Sequence, residues 1–383
     1  MLDITSRPGH EAPLGASLLT ANQAEAERLM TVCNSCRYCE GLCAVFPAME
    51  LRREFAAGDL NYLANLCHSC GACYYDCQFS PPHEFAVNVP QTLAAVRNDS
   101  YAAYAWPSFL AGVFRRNGVA ISLVVALSIG VFFAAMMAFN DPQVMFGSHV
   151  GSGAFYRIMP HEAMVAVFGA AFVYAIVALV MGFRRFWADI AGRGDGSVPA
   201  FWQAVRDAAQ LRYLDGGGVG CMNADDKPTD NRRLFHHLTF YGFALCFAST
   251  SVATIYAYAF GWHAPYAVYD LPVVLGTLGG LGLVIGPAGL WLAKQKRDPV
   301  MVDASRRGMD TGFIAMLFLT GLTGLLLLVL RATPAMGTLL ALHLGFVFGF
   351  FVTMPYSKFV HGLYRFGALV KYAGERRRET GGD

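Results

Sequence analysis

The stretch that decides the fold reads Cys33-Asn-Ser-Cys36-Arg-Tyr-Cys39-Glu-Gly-Leu-Cys43 and returns as Cys67-His-Ser-Cys70-Gly-Ala-Cys73-Tyr-Tyr-Asp-Cys77. Both runs share the spacing C-x2-C-x2-C-x3-C, and the second begins 34 residues after the first (33 to 67). Three thiolates at three-residue steps can wrap one cuboidal cluster while their backbone amides point at its sulfides. In two-cluster ferredoxins the fourth cysteine of each run ligates the other cluster. The spacing therefore predicts two 4Fe–4S clusters. One is held by Cys33, Cys36, Cys39 and Cys77, the other by Cys67, Cys70, Cys73 and Cys43. Crossed ligation also keeps the clusters close enough for electrons to pass between them. The competing reading is a pair of structural zinc sites. Those build from separated C-x2-C pairs, so three consecutive steps repeated twice favour iron. The proline expected directly after each fourth cysteine is displaced to Pro47 and Pro81, which bears on turn geometry more than on ligand identity.

Outward from the repeat, the flanks are rich in helix formers. Asn22-Gln-Ala-Glu-Ala-Glu-Arg-Leu-Met precedes Cys33, and Met49-Glu-Leu-Arg-Arg-Glu-Phe and Gly58-Asp-Leu-Asn-Tyr-Leu-Ala lie between the runs. None shows the β-branched alternation of strands. The expected class is all-α, with an α-helical ferredoxin domain at 23–90 after a flexible 1–22. His68 and His83 are read as surface histidines or supports behind the ligands. The first twenty-odd residues hold no apolar run after a basic start, so no cleavable secretory signal is expected. A reducing compartment then suits metal-bound cysteines better than disulfides.

The chain of 383 residues is 55% hydrophobic and only 15% charged, against about 25% charged in an average soluble domain. Much of it is therefore expected in lipid. A connector along the membrane surface is expected over 91–116. Six apolar stretches follow, at about 117–139, 162–183, 235–259, 271–293, 311–331 and 337–360, each near the roughly 20 residues that cross a bilayer. They make up a transmembrane domain over 117–372, followed by a basic tail, 373–383. Lysine and arginine fall asymmetrically. The 184–233 loop holds eight: Arg184, Arg185, Arg193, Arg206, Arg212, Lys227, Arg232 and Arg233. The 294–310 connection holds five, namely Lys294, Lys296, Arg297, Arg306 and Arg307, while Arg115 and Arg116 precede the first span and Arg376, Arg377 and Arg378 lie in the tail. The alternate connections offer only Arg157, none, and Arg331. This places both termini, the 184–233 loop and the cluster domain in the cytoplasm.

Histidines in or at the rim of spans are costly and usually functional. His343 and His361 are eighteen residues apart on the last span, about five turns of helix or ~27 Å. They would then share a face near opposite membrane surfaces, as ligands of two stacked b-type haems do. His161, at the outer start of the second span, is the expected partner of His343. His236 or His237, at the inner start of the third, would partner His361; His237, one position deeper, is preferred and His236 is the alternative. The competing readings are hydrogen-bonded interfacial histidines or a quinone-site histidine. His263 reads as interfacial. Gly276-Thr-Leu-Gly-Gly280 reads first as close helix packing. Asp215-Gly-Gly-Gly-Val-Gly-Cys221 lacks the Gly-Lys-Ser/Thr ending of a phosphate loop, and Cys221 reads as a structural loop cysteine.

Taken together, the cysteine runs, Phe155-Tyr-Arg-Ile-Met-Pro-His161, Arg232-Arg-Leu-Phe-His-His237, Gly276-Thr-Leu-Gly-Gly280 and Pro355-Tyr-Ser-Lys-Phe-Val-His361 resemble the tricarballylate-utilisation protein B family, also described as citrate-utilisation protein B. The resemblance covers Cys33 to about Tyr372. The His343–His361 spacing is similar, more loosely, to that in the b-type cytochrome subunit of respiratory nitrate reductase, although Phe247 stands where a second histidine would follow His237. The family resemblance implies an FAD-dependent dehydrogenase as partner, one that converts tricarballylate to cis-aconitate. The chain would re-oxidise its flavin and pass electrons through two 4Fe–4S clusters and one or two b haems to the quinone pool of a bacterial inner membrane. A quinone site near Lys358 and His361 is the first guess. No dinucleotide fingerprint or nucleophile–base pair is evident, so substrate chemistry is assigned to the partner. No nucleic-acid partner is expected. The rival readings are the same relay serving another flavin or hydroxy-acid dehydrogenase, a membrane redox sensor without throughput, and a transporter accessory.

Overall fold

The structure, a computed structural model, describes residues 19–192, 195–304 and 307–381. Residues 1–18 of the expected N-terminal segment, the loop residues Arg193 and Arg306, and the last two residues lie outside that set, as do the side chains of Arg115 and Arg116. The architecture is all-α. Among the described residues the strands amount to one short antiparallel pair, Cys221–Met222 with Pro228–Thr229.

Five helices build the N-terminal domain: α1 (Ala21–Cys36), α2 (Val45–Glu50), α3 (Ala57–Leu66), α4 (Ala72–Tyr75) and α5 (Val89–Tyr104). The sequence starts α1 with a capping box. Thr20 Oγ1 accepts from the Gln23 amide at 3.2 Å and Gln23 Oε1 accepts from the Thr20 amide at 3.0 Å, which satisfies two otherwise unpaired donors. Leu29, Met30, Leu60, Tyr62, Leu63, Leu66 and Leu93 close the core. The expected connector differs here. Val89–Tyr104, read as the start of a connector, packs on α1 and α3 as part of the core. Its polar residues misled because they bond inward: Asn98 Nδ2 donates to Asp303 at 2.8 Å, and Ser100 Oγ accepts from Asn65 at 3.1 Å. Along the chain, the 3-10 turn Ser108–Arg116 leads from this domain into the first apolar helix.

Among the described residues, six helices are long and apolar enough to cross a membrane. They are α6 (Asn117–Phe139), then, after the short α7 (Pro142–Met145), α8 (His161–Ile190), and, after α9 (Val198–Ala209), α10 (Asn231–Phe260), α11 (Leu271–Gln295), α12 (Arg307–Leu330) and α13 (Met336–Thr353), whose apolar segment runs on to Tyr356. The two ends of the bundle differ. At one end the basic connections rest on the cysteine domain: Met222 N donates to Cys70 O at 2.9 Å and Asn88 Nδ2 to Val300 O at 3.0 Å. At the other end the three connections poor in basic residues meet, through Gly153 N to Ala264 O at 2.9 Å and Arg331 Nη1 to Tyr266 O at 2.7 Å.

The last expected span is also shorter than read. Helix α13 stops at Thr353, a 3-10 turn holds Met354–Tyr356, Ser357 is extended, and α14 (Val360–Glu379) begins afresh. Pro355 lacks the amide that would continue the ladder and disfavours helix in the residue before it. His343 and His361 therefore stand on different helices, and the five-turn argument that aligned them does not hold. Helix α14 turns back onto α3, α8 and α9, so the expected basic tail is helical as far as Glu379.

Helix α10 has a single buried residue, Gly242. Its backbone packs closely on α11 and reaches α8 and α13 through aromatic side chains, Phe247 on Phe172 and Phe243 on Phe350. Glycines set the α10–α11 distance. A Cβ at Gly279 would fall 2.7 Å from the Cys246 amide nitrogen and 2.8 Å from the Gly242 carbonyl. Gly279→Val is therefore expected to cost about 1–3 kcal/mol by overpacking, read as a lower thermal midpoint of the detergent-solubilised protein. A Val at Gly130, where nothing lies within 4 Å, should leave the midpoint near wild type.

Candidate functional site

The cysteine repeat folds into two cavities in the N-terminal domain. Cys33, Cys36, Cys39 and Cys77 line the first, of about 230 Å³, with Val32, Phe79 and Asp76. Cys67, Cys70, Cys73 and Cys43 line the second, with Leu66, Val89 and Tyr213, and Phe46 borders both. Each cavity thus takes three thiols from one run and the fourth from the other. Helix α1 delivers Cys33 and Cys36 at its last turn, after which Arg37 takes φ 55°. The equivalent residue of the second run, Gly71, takes φ 92°, and a Cβ there would meet Met301 Sδ at 2.8 Å. Backbone amides reach the sulfurs: Ser69 N donates to Cys67 Sγ at 3.3 Å, Val45 and Phe46 to Cys43, and Ala72 to Cys70. Burial, followed by the neighbouring thiols, pushes Cys33 and Cys39 up to about 12. Burial outweighs the Ala72 amide and, with Cys221 and Cys67 nearby, raises Cys70 to about 11.

Among the described residues no three His, Cys, Asp or Glu converge as single-ion ligands would. Four thiols spread around a cavity suit a polynuclear iron–sulfur core, in which each iron takes one thiolate, better than a tetrahedral zinc ion. The cavities differ in access. Cys36 is exposed while Cys67 is buried, and the glycine-rich 215–221 loop lies across the second run. A Cβ at Gly217 would sit 3.2 Å from Leu42, and at Gly216 3.5 Å from Ala72. Those glycines serve close packing of loop on loop. Cys221 is buried, with its Sγ 3.8 Å from the Leu214 carbonyl and 4.0 Å from Arg232 Nη1. His68 is buried, its Nδ1 2.9 Å from the Leu66 carbonyl, and burial lowers its pKa well below the ordinary range.

The histidines are grouped differently from the sequence reading. His361 meets His236, not the preferred His237, with ring centroids 6.0 Å apart at 76°. Adjacent residues on a helix diverge by roughly 100°, and His237 turns toward Tyr241 instead. His361 Nδ1–H donates to the Lys358 carbonyl, which leaves Nε2 as the free nitrogen, the arrangement metal-bound imidazoles adopt. His236 Nδ1 is buried without a partner. At the opposite end of the bundle, His343 Nδ1 lies 3.1 Å from Thr323 Oγ1, while His161 lies among Tyr156, Tyr258 and His263. No contact brings His161 and His343 together among the described residues: His343 faces α12, whereas His161 faces Tyr156, His263 and Tyr258 near the end of α10. Among the described residues only the inner rings face each other, as two axial ligands of one iron would.

Sequence reasoning missed four arginines, Arg97, Arg232, Arg297 and Arg365, which converge on the Cys67–Ser69 loop. Their signal was faint: two precede the inner histidines or follow them by four residues, one helical turn.

A helical domain with two four-cysteine runs, joined to six apolar helices, defines a multi-pass iron–sulfur protein of the electron-transfer kind. The chain belongs to the citrate utilization protein B family: that family's profile matches residues 113–382, and the profile of the Citrate utilization protein B Fer4-like domain matches residues 26–103. It is 50% identical over 365 residues to Citrate utilization protein B of Escherichia coli, covering 95% of each chain. No solved structure matches it.

Proposed function

We propose that the chain is the membrane relay of a two-component dehydrogenase. It would take electrons from the reduced flavin of an FAD-dependent partner, tricarballylate dehydrogenase, and pass them to the membrane quinone pool. The observation that carries this reading is the pair of cysteine-lined cavities with Phe46 between them. When bound there, two 4Fe–4S clusters supply one-electron steps that split a two-electron flavin donation. Cys33, Cys36, Cys39 and Cys77 would hold the first and Cys67, Cys70, Cys73 and Cys43 the second. The exposed Cys36 side is where a partner can approach, and the second site faces the helices that carry His236 and His361. One b haem on His236 and His361 is supported by their facing rings and the fixed tautomer of His361. The basic connections lie on the cysteine-domain side of the bundle, which by the positive-inside rule supports a cytoplasmic N-terminal domain in a bacterial inner membrane.

Mixing the anaerobically purified protein, reconstituted with quinone, with reduced tricarballylate dehydrogenase tests the reading. Steady quinone reduction is expected. Reduction by another flavoprotein but not this one would replace the partner, and cluster reduction without turnover would replace the relay by a sensor. For the haem, His236→Ala is expected to abolish the low-spin b-type absorption bands while His237→Ala retains them. The opposite result would restore the pairing read from sequence.

A further inference from the structure

Four guanidinium groups surround the backbone of the Cys67–Ser69 loop. Arg97 Nη1 donates to Cys67 O at 2.7 Å and to Ala64 O at 3.0 Å, and its Nη2 to Ser69 Oγ at 3.0 Å. Arg232 donates to Ser69 O at 2.7 Å and His68 O at 3.2 Å. Arg297 Nη2 reaches Ser69 O at 3.1 Å, and Arg365 reaches Cys67 O at 2.8 Å and Asn65 O at 3.3 Å. They come from α5, α10, the connection after α11, and α14. Among the described residues none of the four pairs with a carboxylate. Carbonyl oxygens satisfy their donors but do not cancel their charge. A guanidinium keeps its charge at neutral pH, and Asp310, the carboxylate that acts on Arg297, is itself paired with Lys294 and Lys358. Gathering four cations without an anion is costly unless an anion lies close by.

The first run has no such setting. Its nearby guanidinium, Arg37, is exposed and bonds Asn34 O at 3.1 Å, where solvent screens it. Asp76, a carboxylate, lines that cavity. The two sites therefore differ in electrostatic sign although their ligand spacing is identical.

We propose that Arg97, Arg232, Arg297 and Arg365 poise the second cluster as the more readily reduced of the two, and so make it the electron exit toward the membrane. The inference rests on the two-cluster reading and adds the direction of flow. A 4Fe–4S core with four thiolates is net anionic and gains one further negative charge on reduction, so nearby fixed cations favour its reduced form; net charge is among the determinants of such potentials. Burial opposes this, since it penalises added charge, but four full charges within hydrogen-bonding reach of the ligand loop act together. One electron leaves the first cluster, which is oxidised, and enters the second, which is reduced; no bond or proton is exchanged. The same arginines tie this exit to the inner histidine pair. Arg232 lies four residues before His236 on α10, and Arg365 four residues after His361 on α14, so each arginine shares a helix face with its histidine. Hydrogen bonds thus link the Cys67–Ser69 carbonyls to both of those helices.

The test is a potentiometric titration, followed by EPR, of the full-length protein purified anaerobically in detergent. In Arg365→Gln the midpoint of one cluster should fall so that its reduced-to-oxidised ratio at a fixed potential drops at least tenfold, about 59 mV for one electron. The other midpoint should stay in place. Arg365→Lys should recover most of the shift, because it keeps the charge while losing the fork geometry. Arg232→Gln offers the same reading from a different helix if Arg365→Gln fails to fold. The signal lost in Cys43→Ala identifies which cluster moved. Two signals present with neither moving, both moving equally, or no recovery by lysine would overturn the inference and leave the relay standing. Absence of iron–sulfur signals from the wild-type protein would overturn both.

Discussion

Cys43→Ala is expected to halve the iron and acid-labile sulfide of the purified protein and to remove the same EPR signal as Cys73→Ala, not the one removed by Cys39→Ala. Cys43 follows Cys39 in sequence, so ligation within each run would pair those two instead. In the structure Cys43 lines the cavity of Cys67, Cys70 and Cys73, whereas Cys39 lines the other, and Phe46 borders both. The Val45 and Phe46 amides directed at Cys43 sulfur hold it there. Cys77→Ala should show the reciprocal pattern with Cys33→Ala. In the proposed relay each cluster is an obligatory step, so either loss should stop electron delivery to quinone while the remaining cluster is still reduced by dithionite. A shared phenotype of Cys43→Ala and Cys39→Ala would mean uncrossed ligation.

The second large effect concerns how the cysteine domain is fastened to the apolar bundle. Glu375→Ala on α14 is expected to destabilise that junction by about 3–5 kcal/mol, the usual result of removing one member of a buried ion pair. Glu375 Oε1 accepts from Arg52 Nη2 at 2.5 Å and Oε2 from the Tyr62 hydroxyl at 2.9 Å, while Lys371 Nζ lies 3.7 Å away. Arg52 also pairs with Asp59 at 2.6 Å, and Arg52 and Lys371 both lie 4.8 Å from the Tyr62 ring centroid. Removing the carboxylate leaves Arg52 with Asp59 alone and Lys371 with Asp195 at 3.9 Å, and takes away the acceptor of the buried Tyr62 hydroxyl. The effect should appear as a lower thermal midpoint and faster proteolysis between the N-terminal domain and α14. Replacing Arg52 by Met together with Glu375 by Leu should restore much of the loss, since apolar isosteres avoid the desolvation cost of the pair. Unchanged proteolysis in Glu375→Ala would mean that α14 is held by its apolar face alone.

Much of this was legible in the residues themselves. The C-x2-C-x2-C-x3-C repeat and the runs of apolar residues are local patterns, and their physics acts over a few neighbours: thiolate spacing around a core, and roughly 20 residues to cross lipid. They point to an all-α iron–sulfur protein with six apolar helices, and the family relationship agrees. The polar face of Val89–Tyr104 misled because hydrogen bonds to Asp303 and to the cysteine loop lie far away in sequence. The histidine pairing misled for a related reason. Helical arithmetic from His343 to His361 assumes an unbroken ladder, and Pro355 ends it.

By itself, then, the sequence determined the two four-cysteine runs, the helical class and the number of apolar helices, because each follows from interactions between residues close along the chain. Only the tertiary structure decided which histidine meets His361, that Glu375 locks α14 to the cysteine domain, and that four arginines from four distant segments converge on Cys67–Ser69. Those depend on where separate helices cross, which burial and packing set across hundreds of residues and no local pattern records.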